Sequence, residues 1–181
     1  MVEGESVKTS RGFYLVLGIL SIGALLIRIL FLHCKSVLTG DELHYAESLF
    51  YFLRGDFTGG FSDYWSFFYP FSAVPFGHIA GDAETGLRML SLLAGSFLLI
   101  PTALIAKRIA GEGVALFAAL FVALHTNLID YSTAAMTESY YSLLLLTAVY
   151  LFLRFADSGS MLLLVAAALV TAFAYMTRQE A

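Results

Sequence analysis

The run that decides the fold is Gly12–Leu32, "GFYLVLGILSIGALLIRILFL". It is nearly continuous apolar sequence, as long as the roughly 20 residues a membrane-spanning helix requires. Lys8 and Arg11 precede it, and His33, Cys34 and Lys35 follow. A cleaved signal peptide has a shorter apolar core and a small-x-small cleavage site. The reading is an uncleaved signal anchor.

The rest of the chain agrees with a membrane setting. It is 59% hydrophobic and 13% charged over 181 residues, with a mean hydropathy of +0.81. Soluble domains carry about 25% charge. The net charge of -4 and the lack of Lys/Arg runs or zinc-ligand spacing point away from nucleic acid. Cys34 is the sole cysteine, so an internal disulfide is excluded.

Four further runs read as spans: 87–106, 114–131, 135–153 and 161–176. The expected fold is all-α and polytopic, with about five transmembrane helices. Between the first two spans lies a long outer loop, 33–86, expected to hold amphipathic juxtamembrane helices. Its piece "WSFFYPFSAVPFGHIA" is apolar but broken by Pro70 and Pro75. Its aromatic residues suit the headgroup level, so an interfacial or re-entrant segment is expected there, with a sixth span the weaker alternative.

Lys and Arg set the orientation. With the N-terminus cytoplasmic, the short inner turns hold Lys107, Arg108 and Arg154, as the positive-inside rule expects. Asp41, Glu42, Glu47, Asp130, Glu138 and Glu180 then converge on the extracytoplasmic face.

The stretch "LTGDELHYAES", 38–48, carries the densest polar set. Thr39-x-x-Glu42 fits a capping box, with Glu42 reaching back to the Thr39 amide. Asp41 would sit in the first turn, where the helix dipole favours it. The helix should stop near Arg54 and Gly55. Asp41, His44, Tyr45 and Ser48 share one face at i, i+3, i+4 and i+7, opposite Leu43, Ala46, Leu49, Phe50 and Leu53. That polar stripe suits binding an acceptor hydroxyl, taking its proton, or holding a divalent metal ion.

Elsewhere, Asp130 and Glu138 flank the loop between the third and fourth spans. Glu138 either belongs to a site, as an ionisable group within a membrane suggests, or is solvated at the interface. Arg178 would pair with Glu180 or hold a phosphate bidentately. Arg88 either meets phosphate or snorkels to headgroups, and Arg28 is expected to snorkel. Two classes of function remain open. One is an enzyme at the outer membrane edge. The other is a non-enzymatic polytopic protein, such as an ion- or proton-coupled transporter or an assembly subunit. A transporter would place its acids near the midplane on broken helices, which favours the enzyme.

The order of "TGDELHYAESLFYFLRGDF", "YWSFFYPFSAVPFGHIAG", "ETGLRMLSLLAG", "STAAMTESYYSLLLL" and "AFAYMTRQEA" resembles the N-terminal part of the GT-C membrane glycosyltransferases. The similar branch is that of protein O-mannosyltransferases and lipid A aminoarabinose transferases. The resemblance implies an inverting transferase of the cell envelope. It would move a sugar from a polyprenyl-phosphate carrier to a lipid, glycan or protein acceptor at the extracytoplasmic face. It implies Asp41, with Glu42 beside it, as the carboxylate that activates the acceptor or, in some branches, holds a metal. It implies a second acid at Asp130 or Glu138, and a phosphate-binding cation at Arg178. His44, Tyr45, Arg88 and Glu180 are further candidates for substrate contact. Such proteins are longer, so residues 1–181 are expected to be an N-terminal portion that is inactive alone.

Overall fold

The structure is a computed structural model describing residues 11–32, 38, 40–61 and 64–178. Thr39, Cys34, Lys35 and Glu180 lie outside the described residues. So do the Thr39 half of the capping box and a Glu180 pairing with Arg178.

Among the described residues the ordered elements are all helices: α1 (Arg11–Leu32), α2 (Asp41–Leu53), α3 (Phe57–Gly60), α4 (Phe68–Ala80), α5 (Ala83–Phe97), α6 (Leu99–Leu124), α7 (Thr126–Thr133), α8 (Glu138–Ser158) and α9 (Met161–Thr177). Three stretches are long and apolar enough to cross a membrane: Arg11–Leu32, Ala83–Leu124 and Glu138–Ser158. Met161–Thr177 is a shorter apolar helix. Large apolar side chains such as Leu30, Phe117 and Leu162 are exposed by 70% or more on the outside of these helices. Lipid is the solvent that such a surface suits, since water would penalise it.

The 42-residue stretch Ala83–Leu124 is not one rod. Gly111 sits at φ 84°, ψ 179°, a conformation glycine reaches freely and other residues do not. The chain turns back there. Gly95, before the break, packs against Ser132, after it; a Cβ at Gly95 would lie 2.3 Å from Ser132 Cβ. The expected inner turn at 107–113 is therefore mostly helical, with the reversal at one glycine.

Arg28 explains the next break. Helix α6 ends at Leu124, and His125 is extended, which orphans the last carbonyls of the helix. Arg28, fully buried, donates Nη2 to the Val122 carbonyl at 3.3 Å and Nη1 to the Ala123 carbonyl at 3.2 Å. Its Nε donates to Ser132 Oγ at 2.9 Å. The sequence reading of Arg28 as a snorkelling residue is corrected. It is an internal clamp joining α1, α6 and α7, because a helix end offers it carbonyls that lipid headgroups would otherwise have to replace.

The loop expected at 33–86 holds α2, α3 and α4. Helix α4 spans 13 residues with Pro75 inside, too short for the roughly 30 Å hydrocarbon core at 1.5 Å per residue. It folds back on α5 through Gly81, which is left-handed at φ 81°, and Asp82, which accepts the Thr85 N–H at 2.8 Å. The two backbones touch at Gly77 and Gly86, where a Cβ on Gly86 would lie 2.6 Å from Gly77 Cα.

The bundle has two buried clusters. One, around Phe13, Leu17, Ala24, Leu99, Ala103, Ala115 and Ala119, joins α1 to both arms of α6. The other, around Tyr45, Leu49, Phe52, Tyr69, Leu87 and Ala135, joins α2 to α4 and α5. Beside the first cluster lie Lys107, over the Phe13 ring at 4.4 Å, and Arg108, paired with Asp157. The candidate site lies beside the second.

Candidate active site

The residues of α2 that face inward are Glu42, Tyr45, Ser48, Leu49 and Phe52. This corrects the expected division of faces. Leu43 and Phe50 point outward, while Glu42, placed one residue from Asp41 in sequence, faces the protein. Glu42 is buried, and its Oε1 accepts the Ala135 N–H at 2.8 Å. Its bond to the α7–α8 connection is long-range, which no capping pattern announces. The residue at the N-cap of α2 is Gly40.

That bond brings α2 against the start of α8. Between them lies a cavity of about 430 Å³. Asp41 and Tyr45 of α2 line one side, and Met136, Thr137 and Glu138 another. Thr177 and Arg178, at the end of α9, and Tyr64, Trp65 and Ser66, before α4, complete it. Residues far apart in sequence thus meet at one end of the helices.

Three charged groups line the cavity. Arg178 Nη1 donates to Glu138 Oε1 at 3.1 Å, and both side chains are partly exposed. The other oxygen, Glu138 Oε2, is buried and takes no hydrogen bond from the described residues. Glu138 opens α8, where the helix dipole favours an anion. Asp41 is exposed to the cavity. Tyr45 is buried beside them. Burial pushes its phenol above the ordinary value, and the charges of Asp41 and Glu138 act in the same direction.

The floor is held by a short hydrogen-bonded network. Ser91 Oγ donates to the Met136 carbonyl at 2.9 Å. Its hydroxyl lies 2.6 Å from that of Tyr69, which donates to the Leu87 carbonyl at 3.1 Å. Tyr140 donates to Ser72 Oγ at 3.1 Å. Ser66 Oγ donates to the Met176 carbonyl, fixing the Trp65 segment to the end of α9.

The remaining sequence candidates fall elsewhere. His44 is exposed and stacks on Trp65, centroids 4.9 Å apart. Asp130 lies on α7, exposed and outside the cavity lining. Arg88 is buried and pairs with Glu84 at 2.8 Å. Tyr64, Ser66, Met136, Thr137 and Thr177 were not legible as site residues. Trp65 read only as an interfacial aromatic. The one available hint was adjacency: Thr137 and Thr177 each precede a charged residue in an apolar setting.

Residues 67–181 match the family model for dolichyl-phosphate-mannose-protein mannosyltransferases. The chain belongs to that family. It is an integral membrane protein and a glycosyltransferase of the GT-C type. No curated protein and no solved structure gives a match. The matched segment includes Glu138, Arg178 and the floor of the cavity. Asp41, Glu42, Trp65 and Ser66 lie before it.

Proposed function

We propose that the cavity is the glycosyl-transfer site, that its donor is a polyprenyl-phosphate sugar, and that its acceptor is a protein hydroxyl. The family takes its name from dolichyl-phosphate mannose and a protein, and the donor and acceptor are read from that name. The single observation that carries the proposal is the meeting of Asp41, Glu138 and Arg178 in one cavity.

In this reading Asp41 is the general base. The acceptor hydroxyl oxygen attacks C1 of the sugar as Asp41 takes its proton. The C1–O bond to phosphate breaks, and the polyprenyl phosphate leaves with the bonding pair. Such displacements pass through an oxocarbenium-like state, and one displacement inverts C1. Arg178 offsets the charge that grows on the departing phosphate, with Glu138 holding the guanidinium in place beforehand. Glu42 positions α2. Among the described residues no three His, Cys, Asp or Glu side chains gather. Asp41 and Glu138 alone fall short of a closed metal site, so no step is routed through a metal ion.

The orientation follows the charges. Lys107 and Arg108 lie at the end of the helices opposite the cavity, which suits a cytoplasmic face. The chain then crosses at α1, at the arm before Gly111, at the returning arm with α7 continuing it, at α8 and at α9. The cavity faces the extracytoplasmic side. Charges gathered at one end fit a transferase whose carrier tail stays in lipid better than a transporter with a midplane site.

The test is Asp41→Asn in the full-length protein, in membranes, with labelled donor. Transfer should drop by about 10²–10⁴-fold, the range a lost general base removes, with expression unchanged. Full activity would end the assignment of Asp41.

A further inference from the structure

The cavity is lined by two unlike sets of groups. One is charged: Asp41, Glu138 and Arg178. The other is aromatic: Tyr45, Tyr64 and Trp65. This pairing is what a sugar ring needs. A pyranose has a patch of C–H bonds on one face and hydroxyls around its edge. The C–H bonds are positively polarised and suit the negative face of an aromatic ring. The hydroxyls suit carboxylates.

Trp65 is mounted to serve as that face. His44 stacks behind it at 4.9 Å and 15° between planes. Tyr64 meets it edge-on at 5.0 Å, and Tyr45 at 5.9 Å and 78°. Tyr45 meets Tyr69 edge-on at 5.4 Å, and Tyr69 is fully buried and hydrogen-bonded. The indole is therefore braced through to the protein core. The next residue, Ser66, is bonded to the Met176 carbonyl two residues before Arg178. One short strut thus ties the aromatic set to the cation proposed to hold the donor phosphate. In a sugar phosphate the ring is joined directly to that phosphate, so a ring whose phosphate sits at Arg178 is within the same cavity.

We infer that Trp65, backed by His44, is the stacking platform for the hexose of the polyprenyl-phosphate donor, with Asp41 and Glu138 meeting its hydroxyl edge. The inference rests on the proposed transfer function and adds the residue that selects and orients the sugar. Trp65 is a binding and positioning residue, and no proton passes through it.

Residues 1–181 hold one tryptophan, whose fluorescence reports this position. The full-length protein in lipid nanodiscs is titrated with polyprenyl phosphate carrying a hexose, and separately with the same polyprenyl phosphate without sugar, and the signal of Trp65→Phe is subtracted from each. The expected result is a saturable change in Trp65 emission with the sugar-bearing carrier and none with the bare one. Equal responses to both, or no response to either, would overturn the inference. In the full-length protein, Trp65→Ala should raise the donor KM about tenfold, the scale of one lost aromatic contact, with kcat within about threefold. Trp65→Phe keeps a flat face and should stay within about threefold of wild type. A donor KM unmoved by both substitutions would also overturn it. Wild-type transfer with a silent Trp65 sinks the stacking platform and spares the function. A sugar-dependent response without any transfer by the full-length protein does the reverse.

Discussion

Glu42 on α2 accepts the backbone N–H of Ala135 at 2.8 Å, across 93 positions of sequence. The bond sets the distance between Asp41, its neighbour, and Glu138, three residues beyond Ala135. Two adjacent acids therefore divide the work. Glu42 builds the cavity, and Asp41 lines it.

That division gives opposite outcomes for two similar substitutions. Glu42→Ala leaves the Ala135 N–H without its acceptor, a cost of about 1–3 kcal/mol. It should lower both thermal stability in detergent and transfer activity. Glu42→Gln keeps a carbonyl oxygen in place and should recover most of the stability. Asp41→Asn, at an exposed side chain, should leave stability within about 0.5 kcal/mol and still cut transfer by about 10²–10⁴-fold. Equal destabilisation by Asp41→Asn and Glu42→Ala would mean that the two acids share one structural role.

Arg178 and Glu138 test how magnitudes separate. Their side chains are 38% and 24% exposed, so solvent screens the pair. A double-mutant cycle with Arg178→Gln and Glu138→Gln should give a stability coupling below about 1 kcal/mol. Transfer should nevertheless fall at least about 100-fold in Arg178→Gln, because the cation acts on the charge that develops on the departing phosphate in the transition state. A large stability coupling with little loss of transfer would make the pair a structural staple.

Arg28 has the opposite profile. Arg28→Met removes donors from the Val122 and Ala123 carbonyls and from Ser132. The loss should exceed about 2 kcal/mol, since hydrogen bonds to charged groups are worth about 1.5–3 kcal/mol each. Arg28→Lys keeps the charge without the planar fork and should recover only part. Thermal aggregation of the purified variants reads both. Wild-type stability in Arg28→Met would show that the α6 end satisfies itself.

The contact of α4 with α5 gives a fourth outcome. Gly86→Ala would place a methyl 2.6 Å from Gly77 Cα and N. Backbone cannot yield as a flexible side chain does, so about 1–3 kcal/mol should be lost. Gly113→Ala, where nothing lies within 4 Å of the new Cβ, is the control in the same assay and should be neutral or better. Equal stability of the two variants would mean that the hairpin opens at little cost.

Much of this was legible in residues alone. Apolar length identifies α1 and α8, because a helix in lipid needs little beyond it. Polar grouping brought out Asp41, Tyr45, Glu138 and Arg178, all of which line the cavity. What stayed hidden depended on contacts between distant segments. The burial of Glu42 requires Ala135 across from it. The burial of Arg28 requires a helix that ends beside it. Ser66 and Thr177 carry no signal beyond being hydroxyls. The reversal was expected within 107–113 and lies at Gly111; that it takes a single residue was hidden because hydropathy averages over single residues. Its neighbour Glu112 is tied back to Lys107 at 3.0 Å.

Arg28 also constrains how the chain is made. A guanidinium facing lipid is costly, and its acceptors at Val122 and Ala123 lie 94 and 95 residues later. At roughly 5–20 residues per second, the ribosome supplies them about 5–20 s after Arg28. For that interval the first helix has its charge and, of its partners, only the Ala24 carbonyl. The insertion machinery must hold it near water or shelter it until the third crossing arrives. The order of synthesis is thereby written into one buried side chain.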